Sequence, residues 1–350
     1  MKVSIGIFGK NSPLCVIYFL TCFSFIFTSC SKQKDDQLPL LLLGLYATQT
    51  CETNPERCEL STFTSAAASS SKVWVAVTFG GNQFVSVAQD AALTNTVMTS
   101  PDAKTWTERT AGDSEQWLGV AYGNNIFVAL ANSGVTNRAM TSTDGINWIM
   151  RSLPGGGTVN WTNVLFGNGR FVAISATSIA TSTNGIDWTS VAPPAGGYEG
   201  IAYGNGVFVI VASGGQVATS TDATNWTART AAQTNDWRAV TFGKNTFVAV
   251  ARSGTNRVMT SSDGINWTAR SAAENNEWYG VQYGNGLFMA ASFTGTSRAM
   301  TSLDGITWTA RTPLSTGQYR GVAYGNGAFV LVSIAGPASE QVQYATWAIR

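Results

Sequence analysis

One aromatic pattern recurs seven times along this chain, and the recurrence dictates the architecture. An aromatic residue stands at Trp74, Trp117, Trp161, Tyr198, Trp237, Trp278 and Tyr319. Five residues after each comes Phe or Tyr followed by glycine: Phe79-Gly80, Tyr122-Gly123, Phe166-Gly167, Tyr203-Gly204, Phe242-Gly243, Tyr283-Gly284 and Tyr324-Gly325. Five further on is always phenylalanine, from Phe84 and Phe127 through Phe171, Phe208, Phe247 and Phe288 to Phe329. A second tryptophan closes each unit, and all 12 tryptophans of the chain fall on repeat positions. The Phe/Tyr-Gly pairs are spaced 37 to 44 residues apart. Periods of this length belong to stacked or circular arrays of one supersecondary unit.

Within a unit the pattern is that of strands. Trp278 to Tyr283, Leu287 to Ala291, Arg298 to Ser302 and Trp308 to Arg311 read as four short strands rich in aromatic and aliphatic residues. Asn285-Gly286 joins the first two and suits the positive φ angles of a two-residue hairpin; Asn205-Gly206 and Asn326-Gly327 repeat it. Four strands in about 40 residues, seven times over, predict an all-β, seven-bladed β-propeller with four antiparallel strands per blade. The Gly-His and Trp-Asp marks of WD40 units are absent, and the Gly-Gly doublet that kelch units carry after the second strand does not recur from unit to unit. The last unit reads as ending in its own fourth strand at Trp347 and Arg350, with Gln343 where the other units carry Asp. The ring is therefore expected to close by sheet packing, in preference to a strand borrowed from residues 59–72.

The turn between third and fourth strands is the most uniform segment. It runs Ser142-Thr143-Asp144-Gly145-Ile146-Asn147-Trp148, and again from Ser261 (Asp263, Trp267) and Ser302 (Asp304, Trp308). Asp102 with Trp106 and Asp222 with Trp226 keep the pattern but have Ala103 and Ala223 for the glycine, and the turn ending at Trp188 has Asn184 for the aspartate. These turns resemble the Asp-box (BNR) repeat of sialidase-like propellers, with one residue fewer between Asp and Gly. The resemblance covers Trp74 to Arg350. Read physically, each box is a folding device: Asp and Ser side chains bind the turn's own backbone, and the tryptophan fills the gap between sheets. The carboxylates lie on different blades, so they are expected to be too far apart for acid–base pairing. Without alternating oxygen ligands they make no calcium loop.

What the resemblance implies for activity is a glycoside hydrolase that grips its substrate carboxylate with three arginines. Arg138, Arg257 and Arg298 start the third strand of three units and are the candidates, yet equivalent repeat positions should spread them around the ring. A second set, Arg109, Arg151, Arg229, Arg270, Arg311 and Arg350, stands three residues after the box tryptophan, on strands expected to face solvent. No nucleophile pair or catalytic aspartate can be placed by motif. The chain has no histidine, which removes the usual general base and zinc ligand; no catalytic residue, metal or cofactor is assigned. Its formal net charge is +1, against a nucleic-acid binder, which needs excess Lys and Arg. The connections between second and third strands and between blades vary: Gln89 to Asn95, Asp113 to Gln116, Asn132 to Asn137, Thr234 to Asp236, Ala273 to Glu277. That face, with Trp117, Trp237 and Trp278 beside the loops, is the expected surface for a protein or glycan ligand.

The N-terminus supplies an address. Lys2 and Lys10 precede an apolar run from Leu14 to Phe27, too short to span a bilayer as a helix, and small residues lead to Cys30. Phe27-Thr28-Ser29-Cys30 resembles a bacterial lipobox, with Phe27 where Leu is usual. The resulting expectation is a signal peptide over 1–29, a lipidated tether over 30–72 anchored at Cys30, and the propeller over 73–350. Cys51 and Cys58 form an even pair in an exported chain and are expected to be disulfide-bonded. The whole reads as a monomeric lipoprotein of the bacterial cell envelope, at the outer membrane or cell surface. Its propeller is expected to serve as a non-catalytic binding or assembly scaffold. The rival readings are an exo-sialidase-like hydrolase and a structural surface protein without a specific ligand.

Overall fold

A computed structural model describes residues 50–134 and 138–349; Cys30, the signal segment and Arg350 lie outside them. The described residues form seven antiparallel sheets. In the first six, four consecutive strands lie side by side in sequence order. In the first blade these are Trp74–Gly80, Gln83–Ala88, Val97–Ser100 and Thr107–Arg109; in the sixth, Trp278–Gly284, Leu287–Ser292, Ala299–Ser302 and Thr309–Arg311. The innermost strand of each blade packs on that of the next, and Tyr319–Gly325 of the seventh packs on Trp74–Gly80 of the first. The ring is closed, and the fold is a seven-bladed β-propeller.

The Phe/Tyr-Gly repeat is the hub of that ring. A Cβ placed on Gly80 would lie 2.0 Å from the ring of Tyr122, one on Gly243 2.1 Å from Tyr283, and one on Gly325 2.1 Å from Phe79. Each glycine thus admits the aromatic ring of the following blade, and the last admits that of the first. Behind it, the Phe or Tyr packs on the phenylalanine five residues later, with ring centroids 4.5–4.9 Å apart, in the offset and tilted arrangements that aromatic pairs favour. Those phenylalanines, and the first aromatic of every unit, are fully buried. In the first five blades the phenylalanine also approaches the box tryptophan, at 6.3–6.5 Å. That tryptophan packs against the second strand of the preceding blade, as Trp267 does in the cluster with Val209 and Val211.

Closure departs from the sequence expectation. The seventh sheet contains Tyr319–Gly325, Ala328–Ser333 and one long strand, Val342–Ile349. Its outer edge is taken by two N-terminal strands, β1 (Cys58–Leu60) and β2 (Thr64–Ala66), both antiparallel to Val342–Ile349. Phe329 pairs with Ala345, whereas Phe288 of the sixth blade pairs with Ser302, the first residue of its box. Trp347 therefore stands two residues past Ala345 within an uninterrupted strand, at the place of the box aspartate, and is not the box tryptophan. Gln343 is fully buried on the same strand, bonded to Ser65 and to the Leu314 amide. With no Ser, Asp or Gly to bend it, the segment runs straight on and leaves its edge free for an N-terminal strand. The boundary drawn at residue 73 is accordingly too late, because residues from about 50 belong to the ring.

The missing seventh box has a substitute. Cys51 and Cys58 are joined by a disulfide, and their loop occupies the seam between the sixth and seventh blades. The Glu52 amide donates to Asn285 Oδ1 at 3.2 Å, and the Tyr283 hydroxyl donates to Glu52 Oε1 at 2.7 Å. Elsewhere the hairpin residue reaches the next blade's box turn itself: Asn205 Nδ2 to Ser262 O, Asn124 Nδ2 to Thr183 O, and Asn326 Nδ2 to Pro101 O.

Candidate functional site

The box carboxylates are fully engaged by their own corners. In the third-to-fourth turns, Oδ1 of Asp144, Asp222 and Asp263 accepts the amides two and three residues on, at 2.7–2.8 Å, and the serine hydroxyl at 2.9 Å. Asp102 and Asp304 are bound the same way. The tryptophan Nε1 closes the turn on the carbonyl of residue 103, 145, 185, 223, 264 or 305. The backbone amides of Thr105, Asn147, Asn225 and Asn266 are the chief reason that Asp102, Asp144, Asp222 and Asp263 sit below the usual carboxylate range.

The arginine sets are also absorbed by the scaffold. Nε of Arg109, Arg151, Arg229, Arg270 and Arg311 donates to a third-strand threonine at 3.0–3.1 Å. Arg138, Arg257 and Arg298 do not converge. Each ties the loop of its own blade to the next inter-blade connection: Arg257 bonds the carbonyls of Gly254 and Asn276, Arg298 those of Gly295 and Gly317, and Arg138 those of Gly134, Gly157 and Val159. Nor are Trp117, Trp237 and Trp278 available to a ligand, since each is completely buried between two blades.

The reason those tryptophans face inward identifies a different set of residues. In every blade the innermost strand carries a β-bulge directly after its first aromatic, where pairing skips one residue: Trp237 pairs with Ala251 but Ala239 with Val250. The skipped residues are Val75, Leu118, Thr162, Glu199, Arg238, Tyr279 and Arg320. All seven line the cavity on the propeller axis, whose volume is about 320 Å³. A bulge re-aims a side chain at a chosen site. Here it directs one residue per blade into the axial mouth, on the face of the variable connections. Three blades contribute Val, Leu and Thr, while the four consecutive blades from the fourth to the seventh contribute Glu, Arg, Tyr and Arg. Sequence reasoning passed over this position, although its signal is visible: it changes from blade to blade directly after an aromatic that does not.

The polar half of the mouth is a network. Arg238 bonds Asp236 Oδ2 at 2.9 Å and lies 3.3 Å from Glu199 Oε1, and Arg252 Nε meets the same Asp236 oxygen at 2.7 Å. The Tyr279 ring is stacked on Phe293 at 3.6 Å, with the Arg238 guanidinium 5.7 Å from its centroid. Arg252 Nη1 reaches the Tyr279 hydroxyl at 3.4 Å. Burial, partly opposed by Glu199, pulls Arg320 below the usual arginine value. Arg238 Nε and Asp236 Oδ1 are buried without hydrogen-bond partners. Below this mouth the cavity wall carries an aliphatic ring, since Val77 and its six equivalents are Val or Ile in every blade, and Thr78, Asn163 and Gln282 also line it. Among the described residues no group of three or more His, Cys, Asp or Glu side chains could hold a metal ion.

No family model matches the chain, and no curated protein does. Solved structures are similar to it. YCF48 bound to D1 peptide is 14% identical with a TM-score of 0.62, covering 81% of this chain and 94% of that one. A catalytically inactive virginiamycin B lyase from Staphylococcus aureus with quinupristin is 11% identical with a TM-score of 0.70, covering 82% and 99%. The WD40 propeller domain of Doa1 is 12% identical with a TM-score of 0.62, covering 84% and 97%. At such identities the likeness is one of fold, which these proteins put to unlike uses.

Proposed function

We propose that this protein is a non-catalytic binding scaffold of the bacterial cell envelope, held at a membrane through lipidated Cys30, whose axial mouth and surrounding loops engage a segment of a partner protein. One observation carries the reading. On strands whose aromatic and glycine positions recur in every blade, the residue aimed into the axial cavity changes along the ring, and its charged and aromatic members are gathered on four adjacent blades. Packing needs no such difference, whereas recognition of an asymmetric ligand does. The YCF48 structure, a similar propeller with a peptide bound, supports protein in preference to glycan as the partner.

The exo-sialidase-like hydrolase is the second reading, favoured by a charged cavity on the axis. Against it, Arg138, Arg257 and Arg298 are spent on loop carbonyls. Moreover, among the described residues every carboxyl that departs from its ordinary range, Glu108 and Glu274 among them, moves down, whereas a glycosidase acid needs its pKa raised. A displayed peptide library, a glycan array and a sialoside turnover assay separate the readings. The scaffold reading expects selected peptides that Arg238→Ala fails to retain, and no turnover. Sialoside hydrolysis lost in Glu199→Gln would replace it with the hydrolase. The anchor is tested by radiolabelled palmitate, whose incorporation should vanish in Cys30→Ala.

A further inference from the structure

Resting on that reading of the loop face, we infer that the axial mouth is a receptor for a carboxylate bearing an apolar arm: Arg320 binds the carboxylate, and the aliphatic channel beneath it takes the arm. The other guanidiniums near the mouth are already engaged: Arg238 holds Glu199 and Asp236, and Arg252 holds Asp236 with Glu277 also acting on it. Arg320 makes no hydrogen bond or ion pair with the described residues. A guanidinium half-buried without a partner is costly to keep in a low-dielectric cavity, and its planar fork matches a carboxylate through two parallel bonds. Arg238, which lines the same cavity, has its Nε buried and unpaired, a second donor that the protein's own groups leave unused.

The rest of the cavity restricts what the carboxylate is attached to. Below Arg320 a ring of Val and Ile side chains lines the wall, with Thr78, Asn163 and Gln282 among them, and Tyr279, held flat by stacking on Phe293, forms an aromatic side to the mouth. A volume of about 320 Å³ lies at the small end of ligand sites. It suits a short arm packed against the Val and Ile ring. The same chemistry is offered by a free amphiphilic carboxylate and by the carboxylate end of an apolar protein segment.

Calorimetric titration of the full chain in a non-ionic detergent tests the assignment with five probes: hexanoate, hexan-1-ol, hexylammonium, tetraleucine with a free carboxylate, and tetraleucine amide. At least one carboxylate should bind ten-fold or more tightly than its uncharged or cationic counterpart, and its affinity should fall as salt is raised. Arg320→Gln should weaken that binding at least ten-fold, whereas Arg311→Gln on an outer strand should leave it unchanged. Arg320→Lys, which keeps the charge and loses the fork, should fall between wild type and Arg320→Gln; near-wild-type melting of either variant shows that the ring is intact. Binding of hexanoate alone identifies a small molecule as the source, and binding of tetraleucine alone a protein end; each supports the receptor. Neither carboxylate binding more tightly than its uncharged counterpart, no binding by either carboxylate, or carboxylate binding unmoved in both Arg320 variants overturns it. Library peptides retained equally by Arg320→Gln and wild type would remove the carboxylate receptor while leaving the scaffold in place.

Discussion

Asn184 Nδ2 donates a 2.9 Å hydrogen bond to Asp187 Oδ2, and this reverses the bond that fastens three other corners of the propeller. In the second, fourth and fifth blades, Asn147, Asn225 and Asn266 donate to Asp144, Asp222 and Asp263 at 2.8 Å. The third blade has exchanged the two residue types and kept the contact, because Asn184 Oδ1 still accepts the amides of Ile186 and Asp187. Asn184→Asp alone would set two carboxylates against each other and lose a donor. It should cost about 1 kcal/mol at neutral pH, less near pH 3, and Asn184→Asp with Asp187→Asn should restore the melting temperature of the wild type. A double variant no more stable than the single one would contradict this role.

Tight contact at the hub predicts a large effect from one methyl group. Gly243→Ala places a Cβ 2.1 Å from Tyr283 Cγ and should destabilise the ring by about 1–3 kcal/mol through overpacking, read as a lower urea midpoint. Gly169→Ala is the control. Its φ is +72° and nothing lies within 4 Å of the added carbon, so only the left-handed backbone penalty of about 1 kcal/mol applies.

The contrast between hub and mouth also explains what could be read from the chain alone. Seven blades must present the same surface to one another, so Phe79-Gly80 and its equivalents are spelled almost identically and the fold is legible. The candidate site is legible only as a lapse in that spelling, at Glu199, Arg238, Tyr279 and Arg320, because a repeat search rewards agreement and a site needs difference. Closure was misread for a related reason. Trp347 has the spacing of a box tryptophan, but the bend that would place it there depends on Ser, Asp and Gly residues that this unit lacks. Arg138, Arg257 and Arg298 look like a clamp in sequence; their carbonyl partners come from loops whose paths no periodicity specifies.

Ring closure by the N-terminal strands makes the Cys51–Cys58 disulfide a fastener of the seventh blade. Replacing both cysteines by serine opens a short loop and should lower stability by about 2–3 kcal/mol. In hydrogen exchange the amides of β1 and β2 should lose protection before those of the first six blades. Unchanged stability and unchanged protection would place closure elsewhere.

Acid should weaken the same region. Burial alone would push Glu108 up, but bonds from Lys72, Ser70 and Asn95 outweigh it and bring its pKa from 4.5 to about 2. Lys72 Nζ lies 2.7 Å away and is buried, joining the N-terminal segment to the outer strand of the first blade. A depressed folded pKa contributes stability that is complete above pH 4.5 and is lost as pH falls toward 2. Glu108→Gln should flatten the stability curve over that window, and parallel curves for variant and wild type would show that the pair contributes nothing.

The most direct test of a loop-face scaffold compares the two faces of the ring in living cells. A photo-crosslinking residue placed at Phe293, beside Tyr279 at the axial mouth, is set against one at Ile265, on a box corner of the opposite face. A discrete protein adduct should form from position 293 and not from 265, and should disappear when Arg238 is replaced by alanine. An adduct from position 265 alone, or one from 293 that survives the loss of Arg238, would contradict the account.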